Sequence, residues 1–242
     1  MSPPPLLCVA HGSRDPRSAA TINALVDVVR ERRPGLDVRA AFLDLAAPAV
    51  PDALAALHDD GHRAAVVVPL LLGSAFHARV DLPALVAETR TQLPRLDVSV
   101  SEVLGPDRRL FAVALRRLAE AGADLDDPRL GVILAGAGSS HAPANAAVST
   151  VAARWGAVAA FASAAAPDVP TAAADLLARG ARRIAVASWF LAPGRLPDRV
   201  RAQAVAADPH AILSEPLGPA PELADLILDR YAEANTPLRA AG

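Results

Sequence analysis

The chain contains no lysine. Its 24 basic residues are all arginines, and 26 acidic residues leave a formal net charge of −2. A balance this close to neutral argues against a general affinity for nucleic acid, whose phosphates require an excess of basic side chains. The single cysteine, Cys8, excludes a disulfide framework and a cysteine-based metal site. We therefore expect no nucleic-acid partner and no thiolate chemistry.

Long apolar runs are absent as well. No window reaches 18 uninterrupted apolar residues, and the opening MSPPPLL has neither the basic start nor the apolar core of an export signal. A hydrophobic content of 52% over 242 residues is nevertheless ample for a packed core. These features predict a folded cytoplasmic protein with no membrane partner.

The same module occurs twice along the chain. The segment AAFLDLAAPAVPDA begins at Ala40, and its counterpart AAFASAAAPDVPTA begins at Ala159, an offset of 119 residues. The segments GHRAAVVVP and GARRIAVAS keep that offset, and the polar stretch GADLDDPR separates the two copies. Fixed-offset similarity indicates a duplicated structural unit. We predict one module at residues 1–122 and a degenerate copy at residues 130–242.

Each module alternates short apolar runs with helical stretches. In the first module the predicted strands fall near residues 6–10, 37–43, 64–70 and 97–101, and they are continuously apolar, as strands buried on both faces are. This pattern predicts an α/β fold of two tandem, doubly wound, Rossmann-like parallel-sheet domains that face each other across a cleft. Ligands in such sheets bind beyond the carboxyl ends of the strands.

The duplication separates residues that serve the fold from residues that serve chemistry. His11 ends the first predicted strand, and its counterpart is Ala137, although the Gly-Ser that follows is kept in both modules. Asp44 ends the second predicted strand, and its counterpart is Ser163. An imidazole and a carboxylate that only one copy retains are candidates for a function beyond folding.

A third polar residue follows the same rule. His77 lies after the third predicted strand, and its counterpart in the second module is Leu196, or Pro197 if the gap is placed earlier. Two imidazoles and a carboxylate on one rim of a sheet suit a divalent first-row metal or proton transfer near neutral pH, whereas a lone histidine at a strand end is also compatible with a purely structural hydrogen bond. His141, after the first strand of the second module, is a further candidate for the cleft.

Hydroxyl and guanidinium groups stand beside these histidines. Arginines around a cleft favour a carboxylate-rich ligand, and Gly-Ser turns before helices offer backbone N–H groups to anions. The predicted substrate-binding residues are Ser13, Arg14, Arg17, Ser74 and Arg79.

Three blocks, AHGSRDPRS, AFLDLAAPAVPDAL and VVVPLLLGSAFHARVDLP, together resemble the sirohydrochlorin chelatase family, the class II chelatases. The resemblance implies a two-module enzyme that inserts ferrous iron or cobalt into a precorrin-derived tetrapyrrole, for siroheme or cobalamin biosynthesis, without ATP. It also implies that His11 and His77 form the metal-handling pair. Asp44 stands where the family often has the longer glutamate. The divalent metal, with nickel as a further option, would be a substrate rather than a permanent cofactor, and the carboxylate-rich tetrapyrrole its partner.

Two other functions are compatible with these residues. Histidine phosphatases also contain His-Gly, but they resemble Arg-His-Gly, and here Ala10 precedes His11. The second alternative is a non-catalytic protein that binds a tetrapyrrole or a divalent metal without insertion. Either a monomer or a homodimer is compatible with the sequence.

Overall fold

A computed structural model describes residues 3–73 and 81–240, with side chains to residue 236. Strands and helices alternate throughout. The first repeat contributes β1 (Leu6–Ala10), α1 (Pro16–Arg32), β2 (Val38–Phe42), α2 (Val50–Asp59), β3 (Ala64–Pro69), α3 (Leu82–Gln92), β4 (Asp97–Val100) and α4 (Arg108–Glu120). The second contributes β5 (Leu130–Gly136), α5 (Ala142–Ala153), β6 (Val158–Phe161), α6 (Val169–Ala178), β7 (Arg183–Ser188), α7 (Arg195–Ala207), β8 (Ile212–Leu213) and α8 (Pro221–Ala240).

The strands form two four-stranded sheets, in the orders β2-β1-β3-β4 and β6-β5-β7-β8. Every pairing is parallel. The predicted α/β class with two parallel sheets is therefore confirmed, and each of the four strands predicted in the first repeat is present. In both sheets the strand order reverses beside the first strand, at the place where ligands bind in open α/β sheets.

The first sheet is buried on both faces, which explains its continuously apolar strands. All five residues of β1 are buried. On one face, α2 and α3 pack their apolar residues against β1 and β3 in a single core cluster that includes Leu7, Leu54, Val67 and Val86. The other face is covered by α1 and by α8, which contacts both α1 and β3. Such double covering is what a parallel sheet requires.

The compact units differ from the predicted modules at their last helices. One unit combines Met1–Gly105 with Pro219–Gly242, and the other is Pro106–Gly218, so α8 packs in the first unit and α4 in the second. The predicted boundaries at 1–122 and 130–242 describe the repeat in the sequence, whereas each unit takes its final helix from the other repeat. Because α4 and α8 have equivalent sequences, the apolar pattern does not reveal which sheet each one covers.

Matching side chains anchor the two exchanged helices. In α8, Arg230 donates from Nε to the Val103 carbonyl at 3.0 Å and pairs with Glu233 at 2.9 Å. In α4, Arg117 lies 3.4 Å from the Leu217 carbonyl and pairs with Glu120 at 2.9 Å. The same arginine–glutamate pair thus occurs in both helices. In each case the arginine also meets a carbonyl group in the loop that leads to the other exchanged helix.

Among residues 3–73 and 81–240, no helix combines the length and apolarity needed to cross a bilayer.

Candidate functional site

The carboxyl edge of the first sheet places His11 and Asp44 side by side. Strands β1 and β2 pair in register, with Ala10 opposite Phe42. The pairing continues beyond the strands, because Leu43 N–H donates to the Ala10 carbonyl at 2.9 Å and Asp44 N–H to the His11 carbonyl at 3.0 Å. The backbone segments that carry His11 and Asp44 therefore lie next to each other at this edge.

Gly12 allows this close approach. Its φ is +95°, and a Cβ added there would lie 1.7 Å from the Asp44 carbonyl oxygen. Real Cβ atoms do not come so near to another heavy atom, and a positive φ is costly for any other residue except asparagine or aspartate. Only glycine can therefore follow His11 while Asp44 keeps its position.

The two side chains present different chemistry. The His11 ring is half-buried, and its Nδ1 lies 3.2 Å from the Gly12 carbonyl. With the proton on Nδ1, the Nε2 atom carries the lone pair that a metal or a proton requires. Asp44 is exposed, and its Oδ1 accepts a hydrogen bond from Leu45 N–H at 2.7 Å. An imidazole and a carboxylate on neighbouring strand ends are ligand types that iron, cobalt and nickel accept.

The residues that follow His11 build the start of α1. The Ser13 hydroxyl accepts from Asp15 N–H at 3.0 Å, and Asp15 caps the helix by accepting from Arg17 N–H at 3.0 Å. Arg17 also donates from Nε to both Asp15 carboxylate oxygens, at 3.0 and 3.1 Å. The Arg17 side chain and backbone N–H hold the pKa of Asp15 below its usual value.

These contacts change the expected roles of the neighbouring residues. Arg17 donates to Asp15 through Nε and Nη2, so one edge of its guanidinium is engaged at the start of α1, and its predicted contact with substrate stays a prediction. Arg14 is exposed, and its guanidinium makes no hydrogen bond or ion pair within the described part of the chain. Of the two, Arg14 is the better placed to receive a carboxylate.

Three predicted site residues, Ser74, His77 and Arg79, lie outside the described residues, within 74–80. Among the residues that the structure does describe, no group of three His, Cys, Asp or Glu side chains could hold a metal ion. The pairing of His11 with His77 therefore stays a prediction.

The second repeat reproduces the backbone of the site without its chemistry. Ser163 N–H donates to the Ala137 carbonyl at 3.0 Å, as Asp44 does to His11. Gly138 has φ +80°, and a Cβ there would lie 1.9 Å from the Ser163 carbonyl oxygen. The fold therefore needs the glycine and the strand-end hydrogen bonds, but it does not need the imidazole or the carboxylate.

His141 has a structural position in this second copy. Its N–H donates to the Ser139 hydroxyl at 3.0 Å, in the way Asp15 does to Ser13, and it occupies the residue before α5. Its side chain makes no capping hydrogen bond to that helix. His141 is thus the counterpart of a helix-capping aspartate rather than of His11.

Sequence reasoning missed the residue after Asp44. Leu45 has φ +61° and exposes 45% of its surface. Its counterpart Ala164 has φ +57°, and a cis peptide bond follows in each copy, at Ala47-Pro48 and Ala166-Pro167. The repeated Ala-Pro of the two modules was the available signal for a special loop, but it said nothing about the exposure of Leu45.

Comparison with known proteins places these features in a family. The CbiX family pattern matches residues 5–121 and again residues 131–234. The sirohydrochlorin ferrochelatase of Priestia megaterium is 31% identical over 138 residues, which are 56% of this chain and 50% of that protein. The sirohydrochlorin cobaltochelatase of the same organism is 27% identical over 142 residues, or 58% of this chain and 46% of that protein. The chain thus spans about half the length of these curated relatives.

The fold is shared with solved structures. SirB from Bacillus subtilis with Fe³⁺ superposes with a TM-score of 0.81 at 21% identity and covers 98% of both chains. The family pattern accounts for nearly all of the sequence, once per repeat, and it confirms the resemblance carried by the three sequence blocks. The chain belongs to the CbiX family.

Proposed function

We propose that this protein is an ATP-independent chelatase that inserts a divalent metal, ferrous iron or cobalt, into sirohydrochlorin or a related tetrapyrrole. Family membership and the names of the relatives support a metal chelatase. The observation that carries the proposal is the pair of strand ends in the first repeat. There His11 and Asp44 share a backbone hydrogen bond, and the second repeat keeps that backbone with Ala137 and Ser163 instead.

Metal insertion requires two chemical steps at the same place. The metal must be delivered to the pyrrole nitrogens, and two protons must leave them. A neutral imidazole can do either, because its lone pair binds a borderline metal or accepts a proton near pH 7. We assign metal delivery and proton removal to His11 and His77 together.

Asp44 contributes negative charge beside His11. Its carboxylate is exposed and, among the described residues, accepts a hydrogen bond only from the Leu45 N–H, so its remaining lone pairs are available to attract the cation. Aspartate is shorter than the glutamate that the family often has here. We therefore propose an electrostatic role for Asp44, which stabilises metal and imidazolium charge without requiring a direct bond to the metal.

The substrate's acidic groups need cationic partners. Arg14 is unpaired among the described residues, and it follows the Gly12-Ser13 turn. We propose that Arg14, with Ser13, Ser74 and Arg79, binds the carboxylates of the tetrapyrrole. The loosely held metal is a substrate, in the siroheme or the cobalamin pathway.

An anaerobic absorbance assay tests the proposal. Sirohydrochlorin is mixed with the protein, and ferrous iron, cobalt or nickel is added in turn to wild type, His11→Ala and His77→Ala. His210→Ala is the matched control, because His210 is exposed and precedes β8, away from the carboxyl edge. We expect insertion to fall by 100-fold or more in both site variants and to be unchanged in the control, given the ~10²–10⁴-fold effect of proton-transfer groups.

Two results would contradict the proposal. Metal insertion that is no faster with wild-type protein than without it, while the tetrapyrrole binds, would make the protein a carrier. Full insertion activity in both site variants would remove His11 and His77 from the chemistry.

A further inference from the structure

The loop after β2 carries an apolar side chain in an unfavourable position. Leu45 exposes 45% of its surface, so its isobutyl group gains little from the core. Its φ of +61° lies in the left-handed region, which is unfavourable for a residue other than glycine. Glycine or asparagine would relieve this strain at a solvated loop tip.

The fold does not require a leucine at this place. In the second repeat Ala164 adopts nearly the same dihedral, φ +57°, and the loop is otherwise equivalent. Phe42 N–H donates to the Pro48 carbonyl at 2.9 Å in the first copy, and Phe161 N–H to the Pro167 carbonyl at 2.9 Å in the second. Removing the isobutyl group therefore leaves the loop intact.

Leu45 lies directly beside the candidate site. Its own N–H donates to Asp44 Oδ1 at 2.7 Å, and Asp44 N–H is bound to the His11 carbonyl at 3.0 Å. The exposed leucine thus follows Asp44 directly in the chain, and Asp44 in turn is hydrogen-bonded to the backbone of His11. Single exposed apolar residues are common on protein surfaces, but residues held in sparsely populated backbone conformations cluster at binding and active sites.

We propose that Leu45 is a substrate-binding residue whose side chain packs on the apolar face of the tetrapyrrole ring. This inference rests on the proposed function. A tetrapyrrole has carboxylates at its rim and a broad apolar face, so its site needs an apolar contact near the metal-handling groups as well as cationic groups for the rim. Leu45 is the exposed large apolar residue that the described structure places beside His11 and Asp44.

Binding of metal-free sirohydrochlorin, followed by absorbance titration, tests this role separately from insertion. Leu45→Ala places at this position the alanine that the second repeat has at Ala164, so we expect the variant to fold normally. Burying the exposed part of one leucine predicts a Kd about 5- to 10-fold higher in this variant, from ~25 cal/mol per Å² of apolar surface. Leu177→Ala is the matched control, because Leu177 in α6 has a similar exposure of 42%; its Kd should equal that of wild type.

A second variant distinguishes binding from stability. Asparagine tolerates a positive φ, so Leu45→Asn should raise the urea midpoint of unfolding while it weakens tetrapyrrole binding at least as much as Leu45→Ala does. A residue that served only the fold would not separate these two measurements.

The outcomes are decisive for either proposal. If wild type binds and metallates sirohydrochlorin, and both Leu45 variants bind it with unchanged Kd, the role of Leu45 is refuted and the proposed function stands. If wild type does not bind sirohydrochlorin, the proposed function fails and the role of Leu45 fails with it.

Discussion

Gly12 is the residue of the candidate site that leaves no room for a side chain. Replacing this glycine by alanine tests how the site is built. In Gly12→Ala the new Cβ would lie 1.7 Å from the Asp44 carbonyl oxygen, where real Cβ contacts are not closer than 3.0 Å. The backbone of one strand end must therefore move by more than an ångström. Such overpacking costs ~1–3 kcal/mol, and the left-handed φ of +95° adds roughly 1–2 kcal/mol.

The chain itself supplies a control for the dihedral angle alone. Gly61 has φ +93°, and nothing lies within 4 Å of a Cβ added to it. Gly61→Ala should therefore lose only the roughly 1–2 kcal/mol of the left-handed region, against about 2–5 kcal/mol for Gly12→Ala. Urea unfolding followed by far-ultraviolet circular dichroism measures both variants.

The second repeat supplies a control for function. Gly138→Ala meets the Ser163 carbonyl at 1.9 Å, so its effect on stability should resemble that of Gly12→Ala. Only Gly12→Ala should abolish metal insertion in protein that remains folded, because Ala137 and Ser163 carry no imidazole or carboxylate. Equal urea midpoints for Gly12→Ala and Gly61→Ala would refute the contact argument, and full insertion activity in Gly12→Ala would refute the link between this turn and the site.

Three further predictions follow from other parts of the structure. Burial raises the pKa of the Cys8 thiol to about 12, so Cys8 should react with a thiol reagent only when the protein unfolds, which a comparison with and without denaturant checks. Arg39, 3.1 Å from Asp37, holds the pKa of that carboxyl below its usual 3.8. The stability that this pair adds is fully present above about pH 5 and is lost as the pH falls through the lowered pKa, so Asp37→Asn should weaken the acid dependence of unfolding. A fragment of residues 1–122 lacks α8 and should aggregate when expressed alone, whereas co-expression with residues 123–242 should restore soluble protein, as sedimentation of each lysate would show.

Much of the site was accessible to sequence reasoning because the chain contains its own comparison. The second copy keeps Gly138 and the strand-end turn but has alanine and serine at the positions of His11 and Asp44. The sequence alone shows that the Gly-Ser of this turn is kept in both copies while the histidine and the aspartate are not, which marks the two side chains as dispensable for the turn. The roles of Arg17 and Leu45 were not accessible in the same way. The Arg17 role depends on a carboxylate two residues away, and the Leu45 exposure depends on how the loop turns.

The local sequence was sufficient for the strands, the helices and the parallel class of sheet, because continuously apolar runs between amphipathic stretches can be buried only between two layers of helices. It was also sufficient for the family and for the duplication. The exchange of α4 and α8 was decided only by the tertiary structure. Both helices carry apolar residues at equivalent positions and the same arginine–glutamate pair, so their apolar pattern is compatible with either sheet. In the folded chain Arg230 of α8 meets the Val103 carbonyl and Arg117 of α4 meets the Leu217 carbonyl, so each helix packs in the unit that contains the partner of its arginine.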